Sequence, residues 1–183
     1  MAFLHWRALL LASNDTTIGE EFRSSSKQSI QEAFCRTLCL DQVPKEWQHS
    51  WHQVVYHLFA SLLHSRLPHL PLDAELQSYL DVDVGIHPGA WRRLLQEHIG
   101  SRMMGRCFCL TKEGRLGMGS GFMAPDDVVV VPLGCYTPII LRPEGNRGEY
   151  RFVGDVYVHG YMQGKAVEMW KAEKKEVRKF VIH

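Results

Sequence analysis

The stretch "GRLGMGSG", Gly114 to Gly121, places four glycines in eight residues, and its reading decides the fold of the C-terminal half. A phosphate cradle is the first possibility, because glycines let backbone N–H groups approach an anion that a helix N-terminus then faces. The Walker pattern, however, needs Gly-Lys followed by Ser or Thr, and the dinucleotide fingerprint needs glycines at its first, third and sixth positions with a helix opening there. The chain continues instead with "FMAPDDVVVV", residues 122–131, whose proline and β-branched run predict a turn and then a strand. The glycines are therefore strand glycines, which mark a bulge, a bend or the close approach of another chain segment. Their expected role is to let a small sheet curve.

Working outward, the apolar period is strand-like from Arg106 onward, in "RCFCLT", "RLGMGS", "DVVVVPLG", "TPIILRP" and "YRFVGDVYVHG". Short strands so closely spaced predict a curved, mainly antiparallel sheet or a small barrel. The tail "EVRKFVIH" suits a sixth strand, while Glu168 to Lys179 suits a surface helix; both remain open on pattern alone. Before Arg106 the pattern is helical. Ile30, Phe34 and Leu38 recur at four-residue spacing after the serines of "SSSKQS", which suit an N-cap. From about Glu46 to Leu67 an apolar stripe runs through Trp47, Trp51, Val54, Val55, Leu58 and Phe59 until Pro68. Asp73 is placed to cap a short helix, and Pro88 to open another that Gly100 closes. The prediction is an α+β fold in one domain, residues 1–183: a helical part over 1–105 packed as a layer on a β-rich part over 106–183.

Composition narrows the function. The 21 Lys+Arg and 20 Asp+Glu nearly cancel, so no global field favours nucleic acid. Trp6 and Arg7 interrupt the one apolar run near the N-terminus that resembles a signal, and no membrane insertion is expected; the expected location is cytoplasmic. The five cysteines contain no Cys-x-x-Cys pair, and the ten histidines no His-Glu-x-x-His. Buried free thiols, no metal and no cofactor are the expectation.

The segments "RCFCLTKEGRLGMG", "VPLGCYTPIILRP" and "YRFVGDVYVHGYMQGKA" resemble the C-terminal region of fungal heterokaryon-incompatibility (HET) proteins. The shared elements stand at Arg106–Gly119, Asp127–Val131, Leu133–Cys135, Ile140–Pro143 and Tyr150–Gly160; "WRALLLAS" and "EEFRSSSKQSI" extend the likeness upstream. Two departures fall inside it: Asp155 stands where glutamate is usual, and Gln163 where the loop usually has an aspartate. The resemblance implies the fold and a lineage, without catalytic residues to carry over. The HET domain itself, tied in that family to self/non-self recognition and cell death, is not expected in this chain.

Alternation along "YRFVGDVYVHG" puts Phe152, Val156 and Val158 on one face and Arg151, Asp155, Tyr157 and His159 on the other. Tyr157, His159 and Arg142 are the candidate catalytic donors, with Trp47, Trp51, Trp91 and Tyr161 as an apolar substrate wall. No nucleophile elbow, carboxylate pair or cofactor loop accompanies them. The expected chemistry is accordingly undemanding: a cofactor-free cyclisation or isomerisation, of Diels-Alder type for example, of an apolar fungal secondary metabolite such as a terpenoid or polyketide. The competing expectation is a non-enzymatic, HET-related interaction module in self/non-self recognition.

Overall fold

The computed structural model describes residues 2–12, 27–145, 148–172 and 176–183. They form an α+β fold with a helical N-terminal part and a C-terminal sheet, grouped in two compact units: residues 27–104, and residues 105–183 together with the N-terminal helix. The helical part expected over 1–105 is thus divided between the two.

The 27–104 unit is helical. Helix α2 (Lys27–Leu38) buries Phe34 and Leu38 as the four-residue spacing requires; the serine N-cap lies outside the described residues. The long stripe becomes a 3-10 turn, Lys45–Trp47, and then α3, Trp51–Arg66. Leu67, at φ −130° and ψ 62°, has left the helical region that the ring of the following proline disfavours. Helix α4 (Ala74–Ser78) starts as expected, the Asp73 carboxylate accepting from the Leu76 N–H at 3.0 Å. Pro88 opens a 3-10 turn that runs into α5, Trp91–Leu95. Gly100 does not close this segment. A π-turn over Gln96–Gly100 leads into a short α6, Ser101–Met103, and the left-handed position, φ +70°, falls at Gly105.

The second unit carries α1 (Ala2–Ala12), strands β1 (Arg106–Leu110), β2 (Leu116–Ser120), β3 (Val128–Val130), β4 (Ile139–Glu144) and β5 (Glu149–Val158), helix α7 (Lys165–Lys171) and strand β6 (Val181–Ile182). The six-stranded sheet has the order β1-β2-β5-β4-β3 and is not closed; β6 joins β5 in parallel, and every other pairing is antiparallel. Both expectations for the tail hold in part, since α7 and β6 occur in succession.

The opening glycines lie in the β1–β2 hairpin. Gly114, at φ +77°, makes its turn, with the Gly114 N–H donating to the Thr111 carbonyl at 2.8 Å. Gly117 and Gly119 serve close packing rather than bending. A Cβ at Gly119 would lie 2.8 Å from Ile140 Cδ1 and 3.1 Å from Val156 Cγ2, and one at Gly117 would lie 2.8 Å from Cys109 Sγ. Their missing side chains make room for the core of Ile140, Val156 and Val158.

Candidate functional site

Strand β5 divides this unit's chemistry because its neighbouring residues point to opposite faces. Val156 faces Gly119 across the ladder and Val158 faces Gly117, on the inner side with Ile140. Tyr157 pairs with Met118, which pairs with Phe108, and Trp6 of α1 stacks on Phe108 at 6.1 Å. Helix α1 therefore covers the face expected to be polar, and Tyr157 is only 4% exposed. Its hydroxyl meets His159 Nδ1 at 3.0 Å. The other face also departs from strict alternation. The register between β4 and β5 jumps from Ile140↔Gly154 to Leu141↔Phe152, leaving Val153 as an extra residue. This bulge reverses the facing of everything before it, and Phe152, expected in the core, is 54% exposed.

Arg142 is brought to neither Tyr157 nor His159. It pairs with Arg151, six residues before Tyr157, so about 20 Å of strand intervenes. Its guanidinium donates to both oxygens of Asp127, at 2.7 and 2.8 Å, and to the Phe122 carbonyl at 2.8 Å. The hydrogen bond from Arg142 holds the Asp127 carboxyl below its ordinary value against the opposing effect of burial. The tryptophans expected to form the wall belong to the 27–104 unit. Trp51 is core, its indole N–H donating to the Cys35 carbonyl at 3.1 Å; Trp47 stacks on it at 6.1 Å; Trp91 donates to the Ile86 carbonyl at 3.2 Å.

A concave feature of the sheet-bearing unit is a cleft of about 980 Å³ on the inner face. Its walls come from β3, β4 and Val156, with Met123, Tyr161 and Trp170 of α7. Of the candidate site residues it includes Tyr161 and none of the other six. Tyr161 packs on the core of Ile140, Val156 and Val158, and its backbone N–H donates to the Val158 carbonyl at 3.0 Å. Its hydroxyl donates to the Glu113 carboxylate, and the Arg115 guanidinium lies 4.5 Å from the ring centroid. Cys109 also reaches the cleft, but burial, with the neighbouring Cys107, pushes its thiol up to about 11, so it is a poor nucleophile at neutral pH.

Residues 93–181 match the family described as the Het-6 beta-barrel domain. Heterokaryon incompatibility protein 6, OR allele, of Neurospora crassa is 37% identical over 79 residues, which are 42% of this chain and 12% of that protein. This chain is HET-related. No solved structure matches it. Because the match takes in only 12% of the Neurospora protein's length, the likeness concerns a small part of that protein.

Within the HET-related segment, two elements of the recognised pattern now have a physical connection. The aspartate before the apolar strand is Asp127, and the arginine of Ile-Leu-Arg-Pro is Arg142, so the pattern includes an ion pair that ties the β2–β3 loop to β4. The Leu-Gly-Cys element is the turn from β3 toward β4, with Gly134 at φ +84°. Asp155 is held by Arg106 at 2.6 Å. Glu113, Met123 and Trp170 escaped the sequence reading. Glu113 and Tyr161 are 48 residues apart, and nothing local marks either as the other's partner.

Proposed function

We propose that the sheet-bearing unit of this HET-related chain binds an apolar small molecule, without a cofactor, in the cleft over Val156. The cleft itself carries this reading: about 980 Å³, walled by aliphatic residues of β3 and β4 together with polar groups that include Lys112, Glu113, Asp127 and Arg178, it combines an apolar wall with polar groups as small-molecule sites do. Cyclisation or isomerisation is the finer form of the same proposal. A shaped apolar wall selects one reactive conformer of an already reactive substrate, and orientation alone contributes several kcal/mol to such a step, on the order of 4 to 7. Tyr157 and His159, on the covered face, then hold the strand while the cleft does the selecting.

The test uses N-phenyl-1-naphthylamine, a neutral probe whose fluorescence rises in apolar surroundings. Saturable binding is expected, weakened at least tenfold by Val129→Trp, which fills the cleft, and unchanged by Tyr157→Phe, which alters the opposite face. Equal binding by the wild type and Val129→Trp, or none by the wild type, overturns the proposal. The finer form predicts mass-conserving conversion of an unsaturated apolar substrate, lost in Val129→Trp; a ligand that binds and is released unchanged removes the catalytic part.

A second reading has its own observation. Phe122, Leu133 and Tyr136, on the loops flanking β3, are 83%, 65% and 91% exposed, which suits a protein-interaction module. Its test is titration against the Neurospora relative, with binding abolished by Phe122→Ser and Tyr136→Ser together; no binding by the wild type removes it.

A further inference from the structure

Met123 lines the cleft and packs on the core of Ile140, Val156 and Val158. Its Sδ lies 3.2 Å from where a Cβ at Gly119 would stand, so the thioether occupies the space that this glycine leaves open. A methionine has three rotatable bonds and adapts to whatever surrounds it, so its own rotamers do not fix it in such a slot. The chain on either side of it is fixed instead, and by one ion pair. The Phe122 carbonyl, just before Met123, accepts from Arg142 Nη2 at 2.8 Å, and the Ala124 N–H, just after it, donates to Asp127 Oδ2 at 2.7 Å. Arg142 in turn donates from Nε and Nη2 to both Asp127 oxygens, and the Asp127 side chain is only 6% exposed, so water competes little for the pair. Arg142 itself stands outside the cleft lining.

We propose that Arg142 and Asp127 are positioning residues for the cleft, holding Met123 inward as a surface on which an apolar ligand packs. The proposal rests on the cleft being a ligand site. A planar guanidinium suits the task because its fork reaches both carboxylate oxygens and the Phe122 carbonyl at once, whereas a lysine ammonium is a single charge on a flexible stem. Charge balance and positioning therefore separate at residue 142: lysine preserves the first and loses the second. Without the fork, residues 122–124 lose their tie to β4, Met123 is free to leave the slot over Gly119, and that part of the apolar wall opens to water.

The test reads N-phenyl-1-naphthylamine in two ways, by its dissociation constant and by its emission maximum at saturation, which is a property of the bound probe alone. Met123→Ala is expected to weaken the probe about tenfold, the order for losing one or two buried methylene-sized groups from the contact. Arg142→Lys should weaken it about threefold, a partial loss of the same contact, and move the emission to longer wavelength. In the Met123→Ala background Arg142→Lys should do neither, because the side chain through which it acts is gone. Asp127→Asn, which keeps an oxygen for the Ala124 N–H but weakens the hold on Arg142, is expected to follow Arg142→Lys. Urea midpoints are measured alongside, since a purely structural ion pair would lower them without moving either probe reading. If the wild type binds the probe but both variants leave its affinity and emission unchanged, this inference falls and the cleft reading stands. The same follows if their effects are as large in Met123→Ala as in the wild type. If the wild type does not bind the probe, both fall.

Discussion

Gly119→Ala is the substitution that most directly separates close packing from backbone bending in the glycine stretch. The added Cβ would sit 2.8 Å from Ile140 Cδ1, 3.1 Å from Val156 Cγ2 and 3.2 Å from Met123 Sδ, so the neighbours must move. Overpacking of this kind costs about 1–3 kcal/mol. Alanine also loses less conformational entropy on folding than glycine in a strand, which returns about 0.5–1 kcal/mol. The expected net loss lies between about 0 and 2.5 kcal/mol. Ile140→Val removes the methyl that the new Cβ meets first, and by itself costs about 0.5–1.5 kcal/mol. If packing is the cause, the double variant should lose about 1 kcal/mol less than the sum of the single variants, because each change relieves the other. Urea unfolding followed by far-UV circular dichroism measures all three. Additive losses would refute the packing argument, because a glycine needed only for bending has no reason to couple to Ile140.

Two other outcomes concern different parts of the molecule. Burial raises the Glu32 carboxyl, but the ring and backbone N–H of His52, with the charge and hydrogen bond of Arg36, outweigh it and leave Glu32 below its ordinary value. A depressed acid contributes stability that is present above its unfolded value, about 4.3, and lost as pH falls through the folded one. Urea midpoints measured downward from pH 6 should therefore drop more steeply below about pH 4.5 in the wild type than in Glu32→Gln, and parallel curves would contradict the assignment. The cysteines differ in burial, contrary to the expectation that all are buried, with Cys109 intermediate. Cys35 and Cys39 are enclosed, with burial raising both thiols and Cys39 reaching about 12, whereas Cys107 and Cys135 are exposed. Iodoacetamide at pH 8 should alkylate Cys107 and Cys135 in the folded protein and spare Cys35 and Cys39 until urea is added, as peptide mass spectrometry would show.

Where a structural feature is set by neighbours in the chain, the sequence was sufficient. The strand reading of "GRLGMGSG", the cap at Asp73, the stop before Pro68 and the switch of period at Arg106 all depend on local backbone preference, which each stretch carries within itself. Gly100 shows the limit of that logic. The chain remained helical through it, because a glycine only permits a left-handed cap and does not require one, and the cap formed at Gly105.

The site is a different matter. The bulge at Val153 changed which side chains of β5 face inward, so Phe152 was expected inside and lies outside. Helix α1, at the opposite end of the sequence, covered the face on which Tyr157 was expected to meet a substrate. Asp127 claimed Arg142, and Glu113 claimed the hydroxyl of Tyr161. The sequence by itself determined the α+β class, the succession of elements and the placement of its glycines in strands, whereas their packing role came from Ile140, Val156 and Cys109. Only the tertiary structure decided which face of β5 borders a cleft and which polar groups reach it. Alternation assigns faces relative to the residue before, whereas inside and outside are assigned by segments that return from far along the chain.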